Sequence, residues 1–198
     1  KVLQAMKDAV EQRIFPERAE TPKTLIFAKT DSHADDIIRI AREVYGQCNA
    51  FCKKVTYRAG VGNDGKPVPG DAADSVLASF RNDFYPRIAV TVDMIATGTD
   101  IKPVEIVVFM RSVKSRSFFE QMKGRGVRVC NPTDLAAVNP GEGVKKDHFV
   151  IVDAVGVCER DKTDSRPMDQ KKSVPLDKLL QAVSLGNVED EVLSSIAA

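Results

Sequence analysis

Two hydrophobic rhythms alternate along this chain. Residues 3–14 (LQAMKDAVEQRI) carry apolar side chains at helical spacing, and Pro16 and Pro22 close that segment. Thr24-Leu-Ile-Phe-Ala28 is a short unbroken apolar run, the mark of a strand buried on both faces. The helical rhythm returns from Ala34 to about Tyr45, with Ile37, Ile38, Ala41 and Val44 on one face and Asp31 or Ser32 available as cap. A second strand is expected over Cys52–Tyr57. Residues 59–70 hold four glycines and two prolines and read as a loop. Asp74 to about Phe80 is helical through Val76, Leu77 and Phe80. Arg87–Val92 and Val104–Phe109 are further buried strands, Ser117 to about Gly124 is a helix, and His148–Asp153 is the last strand. Residues 131–146, rich in Pro, Gly, Asn and Lys, read as an excursion between helix and strand. Strands alternating with helices predict an α/β domain with a mostly parallel sheet covered on both faces.

Past residue 158 the pattern changes. Glu159–Ser173 is charged, contains Pro167 and reads as a linker. Short helical segments near 176–183 and 187–196 carry apolar stripes, including Leu176, Leu179, Leu180 and Val183, then Val188, Val192, Leu193 and Ile196. Alone they are too short to be stable, so they are expected to dock on something.

Composition narrows the class only a little. The 198 residues suffice for one good core plus extensions. With 29 Lys+Arg against 28 Asp+Glu, net charge points to neither nucleic acid nor membrane, so any basic surface must be local. No apolar run approaches membrane-spanning length and no secretory pattern opens the chain. The first residue is Lys1 rather than Met, which suggests a piece of something longer. Cys48 and Cys52 form a C-x3-C pair, but the second ligand pair of a zinc site is missing, and His33 and His148 stand alone. Free thiols, no metal site and a cytoplasmic location are the expectations.

Candidate chemistry lies in three stretches. Gln121-Met-Lys-Gly-Arg-Gly-Val-Arg128 sets two arginines three residues apart near a helix end, and residues so spaced share a helix face. Arginine is always charged and presents a planar fork of donors that matches phosphate oxygens. A solvated basic helix end is the bland alternative. Gly60-Val-Gly-Asn-Asp-Gly65-Lys66 imitates a phosphate-binding P-loop, but Pro67 stands where Ser or Thr would hold magnesium, and a proline there opposes the helix whose N-terminus would face the phosphates. It reads as a flexible loop. Val90–Pro103 runs from a buried strand into a turn holding Asp93, Gly98 and Asp100, and ligands of open parallel sheets gather beyond strand carboxyl ends. Gly98 permits close backbone approach, and Asp100 can accept from a sugar hydroxyl or a metal-bound water.

Taken together, Thr24–Thr30 (TLIFAKT), Asp74–Phe80 (DSVLASF), Thr91–Asp100 and Gln121–Arg128 occur in the order and approximate separation of motifs IV, IVa, V and VI of superfamily 2 helicases. Residues 24–153 resemble the second RecA-like lobe of those motors. Thr-Val-Asp-Met before Gly-x-Asp, Gln-x-x-Gly-Arg-Gly-x-Arg and the late Ile-Val-Asp-Ala-Val-Gly strand look most like the R (motor and nuclease) subunit of type I restriction enzymes. The resemblance implies a three-layer RecA-like domain with a short C-terminal helical extension. It also implies three parts: residues 1–20 as an N-terminal linker helix, 21–158 as the lobe, and 159–198 as charged linker and terminal helices. Arg128 matches the arginine finger, Arg125 its companion, and Gln121 the residue near the terminal phosphate or attacking water. Gly98, Asp100 and Gly124 would line ATP, while Thr30, Thr91 and Asp93 would face the DNA backbone. One departure is that Val92, not threonine, precedes Asp93. Thr91 faces the opposite way, so its DNA contact rests on the resemblance alone.

There is no complete Walker A sequence, no Asp-Glu-x-His box and no Glu-x-Lys nuclease signature. The resemblance therefore implies half of an ATP site, with ATP and Mg2+ held mainly by an N-terminal RecA-like lobe of the full-length chain. Double-stranded DNA and the methylation and specificity subunits of a type I complex are the other implied partners. The isolated piece is expected to be inactive. The rivals are a lobe of another superfamily 2 DNA or RNA helicase, and a non-catalytic nucleic-acid or protein-interaction module on the same fold. A dinucleotide-binding oxidoreductase is disfavoured because no Gly-x-Gly-x-x-Gly follows a strand.

Overall fold

The apolar runs form strands that pair in parallel throughout. The computed structural model describes residues 1–55, 73–92, 101–139 and 144–159. Within them α1 (Val2–Ala9) continues into a π-helical turn over Val10–Ile14, followed by β1 (Thr24–Phe27), α2 (Asp31–Tyr45) and β2 (Cys52–Lys54). Then come α3 (Ala73–Asn82), β3 (Ile88–Thr91), β4 (Ile106–Phe109), α4 (Arg116–Lys123), α5 (Pro132–Val138) and β5 (Val150–Asp153). The sheet order is β2-β3-β1-β4-β5. Thr24 pairs in register with both Ile88 and Ile106, and Ile106 in turn with Val150.

Strand alternation divides the core into two halves. Ile26, Ala28, Ile88, Val90, Ile106 and Val108 pack on one face with Leu3, Met6, Ala34, Ile37 and Ala41 of α1 and α2. Leu25, Phe27, Ala89, Val107 and Phe109 pack on the other with Val76, Leu77 and Phe80 of α3 and Phe119 and Met122 of α4. Successive strand side chains point to opposite faces, so each four-residue run feeds both halves. The result is a three-layer α/β domain, as the alternation predicts. The opening helix, expected as a linker, contributes Leu3 and Met6 to this core, and Val10 and Phe15 follow it.

Helix α2 shows why local chemistry sets element ends. Thr30 is its N-cap, with extended backbone (φ −140, ψ 166), and its Oγ1 accepts from the His33 N–H at 3.2 Å. The cap therefore falls one residue before Asp31, which instead places a carboxylate in the first turn, where the helix dipole favours it. At the other end Gly46 adopts φ 61, and the Gly46 and Gln47 N–H groups donate to the carbonyls of Glu43 and Arg42. This is a left-handed glycine cap.

Helix α5 corrects the expected excursion at 131–146. Pro132 sits in its first turn, where a missing N–H costs nothing, and Leu135 and Val138 are fully buried three residues apart. No helix among the described residues is long and apolar enough to cross a membrane. The P-loop-like stretch 60–67, the turn with Asp93, Gly98 and Asp100, and the segments near 176–183 and 187–196 lie outside the described residues.

Candidate functional site at the carboxyl edge

Two edges of the sheet are built from different chemistry. At the amino edge a charged residue abuts each of three strands, and each is buried. Lys23 precedes β1, and its Nζ donates to the carbonyls of Asp83 (2.7 Å), Phe84 (3.1 Å) and Pro86 (2.7 Å). Arg87 precedes β3. Its guanidinium donates to Thr21 O from Nε (2.7 Å) and Nη2, to Phe84 O and Val138 O from Nη1 (3.3 and 2.8 Å), and to Asn139 Oδ1 from Nη2. Glu105 precedes β4, is 0% exposed and pairs with Arg18 at 2.6 Å. Burial pushes the Lys23 ammonium down to about 7 and Arg87 down to about 10. Burial also raises Glu105 against the opposing pull of Arg18.

Perturbed ionisable groups often mark active sites, but structural ion networks perturb them too. Here every donor of Lys23 and Arg87 is spent on main-chain carbonyls or an amide oxygen of this lobe. We read this edge as the scaffold. The sequence carried a signal for it, a single charge directly abutting each apolar run, that the motif reading passed over.

At the opposite edge the strands release Thr30, the segment after Thr91 and the start of α4, whose far end leads into the arginine segment. Thr30 follows β1 and is exposed, with its hydroxyl engaged as the α2 cap. Thr91 ends β3 and is 1% exposed, so its side chain is not offered to solvent. Lys54, at the end of β2, bridges Asp35 at 2.9 Å and Asp31 at 3.4 Å; these carboxylates raise its proton affinity against the effect of burial.

Helix α4 carries the arginine segment. Ser115 caps it, accepting from Phe118 N–H at 3.3 Å, and Phe119 packs on Phe109 with ring centroids 5.3 Å apart. Gln121 is exposed, with its amide 3.5 Å from Ser117 Oγ along the same helix. The helix ends at Lys123, and Gly124, half-buried, is its C-cap with its N–H on Glu120 O at 2.8 Å. Arg125 and Arg128 therefore do not share a helix face, contrary to the spacing argument. Arg125 lies half-buried in the turn after the helix, and Arg128 is exposed beyond it. What aims them is Gly126. A Cβ there would stand 2.9 Å from both Val107 and Phe149, so only glycine lets this turn lie directly on the sheet. Lys146 ties the segment toward the amino edge, donating to the carbonyls of Arg128 and of Lys102, which lies before β4, each at 2.7 Å. Gly98, Asp100 and Asp93 lie outside the described residues.

A further group was not singled out from sequence: Arg111, Lys114 and Arg116, interleaved with Ser112, Ser115 and Ser117 from the end of β4 into the first turn of α4. With Lys29 they put cations on the segments leaving this edge, a local basic surface that the balanced net charge conceals; Arg125 and Arg128 lie beyond the other end of α4. Guanidinium donors at an exposed strand-carboxyl edge suit phosphate oxygens. No group of His, Cys, Asp or Glu among the described residues is arranged to hold a metal ion. Cys52 and Cys130 are buried and Cys48 and Cys158 exposed, all as free thiols; burial pushes the Cys52 thiol up to about 12.

Comparison with known proteins bears on these segments. The helicase conserved C-terminal domain family matches residues 3–130, a span that includes Gln121, Arg125 and Arg128. The endonuclease subunit of the type I restriction enzyme EcoKI from Escherichia coli (strain K12) is 32% identical over 173 residues, covering 82% of this chain and 13% of that protein. The chain thus spans a small part of that relative's length. Among solved structures, a fragment of a putative HsdR subunit of a type I restriction enzyme from Vibrio vulnificus YJ016 superposes with a TM-score of 0.50 at 24% identity. It covers 76% of this chain and 27% of that one. Domain 2 of the DEAD-box helicase Mss116p, solved bound to an RNA duplex, gives a TM-score of 0.50 at 14% identity, covering 98% and 68%. These two likenesses show the fold, that of a RecA-like helicase C-terminal lobe.

Proposed function

We propose that this chain, which belongs to the helicase conserved C-terminal domain family, is the second motor lobe of an ATP-dependent DNA translocase of the type I restriction R-subunit kind. The observation that carries the reading is the Gln121–Arg128 segment. It is held against β4 by Gly126 on Val107 and Phe149 and by Lys146 on the Arg128 carbonyl, and it leaves Gln121 and Arg128 exposed. ATP would lie between this lobe and an N-terminal lobe that supplies the triphosphate cradle and most of the magnesium ligands. Arg128 would serve as arginine finger and Arg125 as its companion, while Gln121 would orient the attacking water. Gly124, Gly98 and Asp100 would border the nucleotide. The exposed donors fit phosphate oxygens, and magnesium would neutralise phosphate charge.

Thr30 and Asp93 would face the DNA backbone. Thr91, being buried, is assigned no direct contact. Backbone contacts of this kind are salt-dependent and largely independent of sequence. Methylation and specificity subunits would complete the complex and choose the DNA site. The isolated chain should turn over ATP negligibly, because it lacks the cradle.

The test is Arg128→Ala in the full-length protein. Hydrolysis should fall by roughly 10³-fold or more while ATP binding persists. Unchanged turnover would overturn the finger assignment, and robust turnover by the isolated chain would overturn the half-site reading.

A further inference from the structure

Arg111 follows the last residues of β4 and is half-buried. Its Nη1 donates to the carbonyl of Val92, nineteen residues away in sequence at the end of β3. Its guanidinium carbon also lies 5.7 Å from the centre of the Phe118 ring, in the first turn of α4. One side chain thus touches the end of one strand and the start of the helix that leads to Gln121, Arg125 and Arg128. Arginine is suited to this, since its planar group can donate in its own plane while its face covers an aromatic ring. On its other side α4 is fixed by the Ser115 cap and by Phe119 on Phe109. Arg111 adds the tie toward β3.

We propose that Arg111 is a positioning residue for hydrolysis: by joining the Val92 carbonyl to the Phe118 ring, it sets where α4 and the arginine segment after it stand relative to the end of β3. The inference rests on the nucleotide-site reading of Arg125 and Arg128. It does not place Arg111 on the nucleotide. Losing the tie should therefore lower the rate of the bound complex more than the affinity for ATP, because misplacement of reacting groups acts on the transition state.

The experiment uses the full-length protein with DNA and compares Arg111→Met, Arg111→Lys, Phe118→Leu and the Arg111→Met/Phe118→Leu pair. Arg111→Met keeps apolar cover on Phe118 but removes the donor. It should lower kcat about tenfold, the scale of one charge-assisted hydrogen bond, and leave the KM for ATP within about threefold. Arg111→Lys should recover part of the rate, because its ammonium can still donate to Val92. The paired variant should be no worse than Arg111→Met, since both changes break one connection. Wild-type kcat in Arg111→Met, losses that add in the pair, or a rise in KM matching the loss of kcat would each overturn the positioning role. Arg128→Ala measured alongside separates the two claims. If it abolishes turnover while Arg111→Met turns over at the wild-type rate, only the positioning role fails; if it too is silent, the nucleotide-site reading fails.

Discussion

Alanine at position 126 should unseat the arginine segment. The added Cβ would stand 2.9 Å from a Val107 methyl and 2.9 Å from the Phe149 ring edge. Carbon atoms settle about 3.5–4.0 Å apart, so each contact is short by roughly 0.6 Å or more. Val107 is 0% exposed in β4, between β1 and β5, and a β-branched side chain in a strand has little rotamer freedom. Phe149 is half-buried and is the side that can yield. Overpacking of this kind costs roughly 1–3 kcal/mol. For a chain of this size that lowers the melting midpoint by about 3–10 °C. Thermal unfolding followed by circular dichroism measures the loss. Because Arg125 and Arg128 flank the glycine, ATP turnover by full-length Gly126→Ala should fall further than its stability loss explains. Adding Phe149→Ala removes one of the two opposing groups, so the double variant should be less destabilised than the two single effects summed. A Gly126→Ala protein with an unchanged midpoint and wild-type turnover would refute the reasoning.

Other outcomes follow from the amino edge. Arg18→Ala strands the fully buried Glu105 carboxylate and should cost about 3–5 kcal/mol in denaturant unfolding, whereas replacing both by apolar residues should recover most of that. Burial raises Glu105, so the folded state holds its proton more tightly than the unfolded state. The Arg18→Ala deficit should be smallest in acid and grow as pH rises through the folded-state value; a deficit independent of pH would contradict this. Lys23 has the opposite sense. Its folded value of about 7 lies below the ordinary lysine value of 10.5, so the unfolded chain binds more protons between those limits and stability should rise with pH there. Lys23→Met orphans three carbonyls and should be less stable throughout, and its deficit against wild type should widen from pH 7 toward 10, by at most roughly 1.4 kcal/mol per pH unit. A gap that narrows would reverse the assignment.

Much of the layer structure was legible because it depends on short-range pattern. Thr24–Phe27, Ile88–Thr91 and Ile106–Phe109 are unbroken apolar runs, and α2 shows its buried face in Ile37, Ile38 and Ala41. Strand order was not legible, because nothing local places β3 between β2 and β1. Helix α5 was hidden by its own start signal: Pro132 reads as a breaker unless it is placed in the first turn. The arginine motif is legible as a string of residues, but its geometry is not. Spacing alone implied a shared helix face, and the contact that sets the real geometry, Gly126 on Val107 and Phe149, joins positions nineteen or more residues apart. Arg111 was invisible for the same reason, since its partner Val92 lies on another strand. The buried charges at Lys23, Arg87 and Glu105 could have been suspected from their position against apolar runs, but their partners could not.

Arg87 has a bearing on how the lobe assembles. Its acceptors come from Thr21, Phe84, Val138 and Asn139, so one guanidinium needs groups up to 66 residues away on one side and 52 on the other. Dehydrated before all of them arrive, it would be a buried cation with too few acceptors, a state that costs several kcal/mol. The penalty falls on any collapsed form that dehydrates the guanidinium before α5 has brought Val138 and Asn139 to it. Arg87 therefore works as a coincidence detector for folding, rewarding simultaneous arrival rather than stepwise gain. The expected consequence is a slow but sharply cooperative transition, with few half-built lobes left to expose their strands.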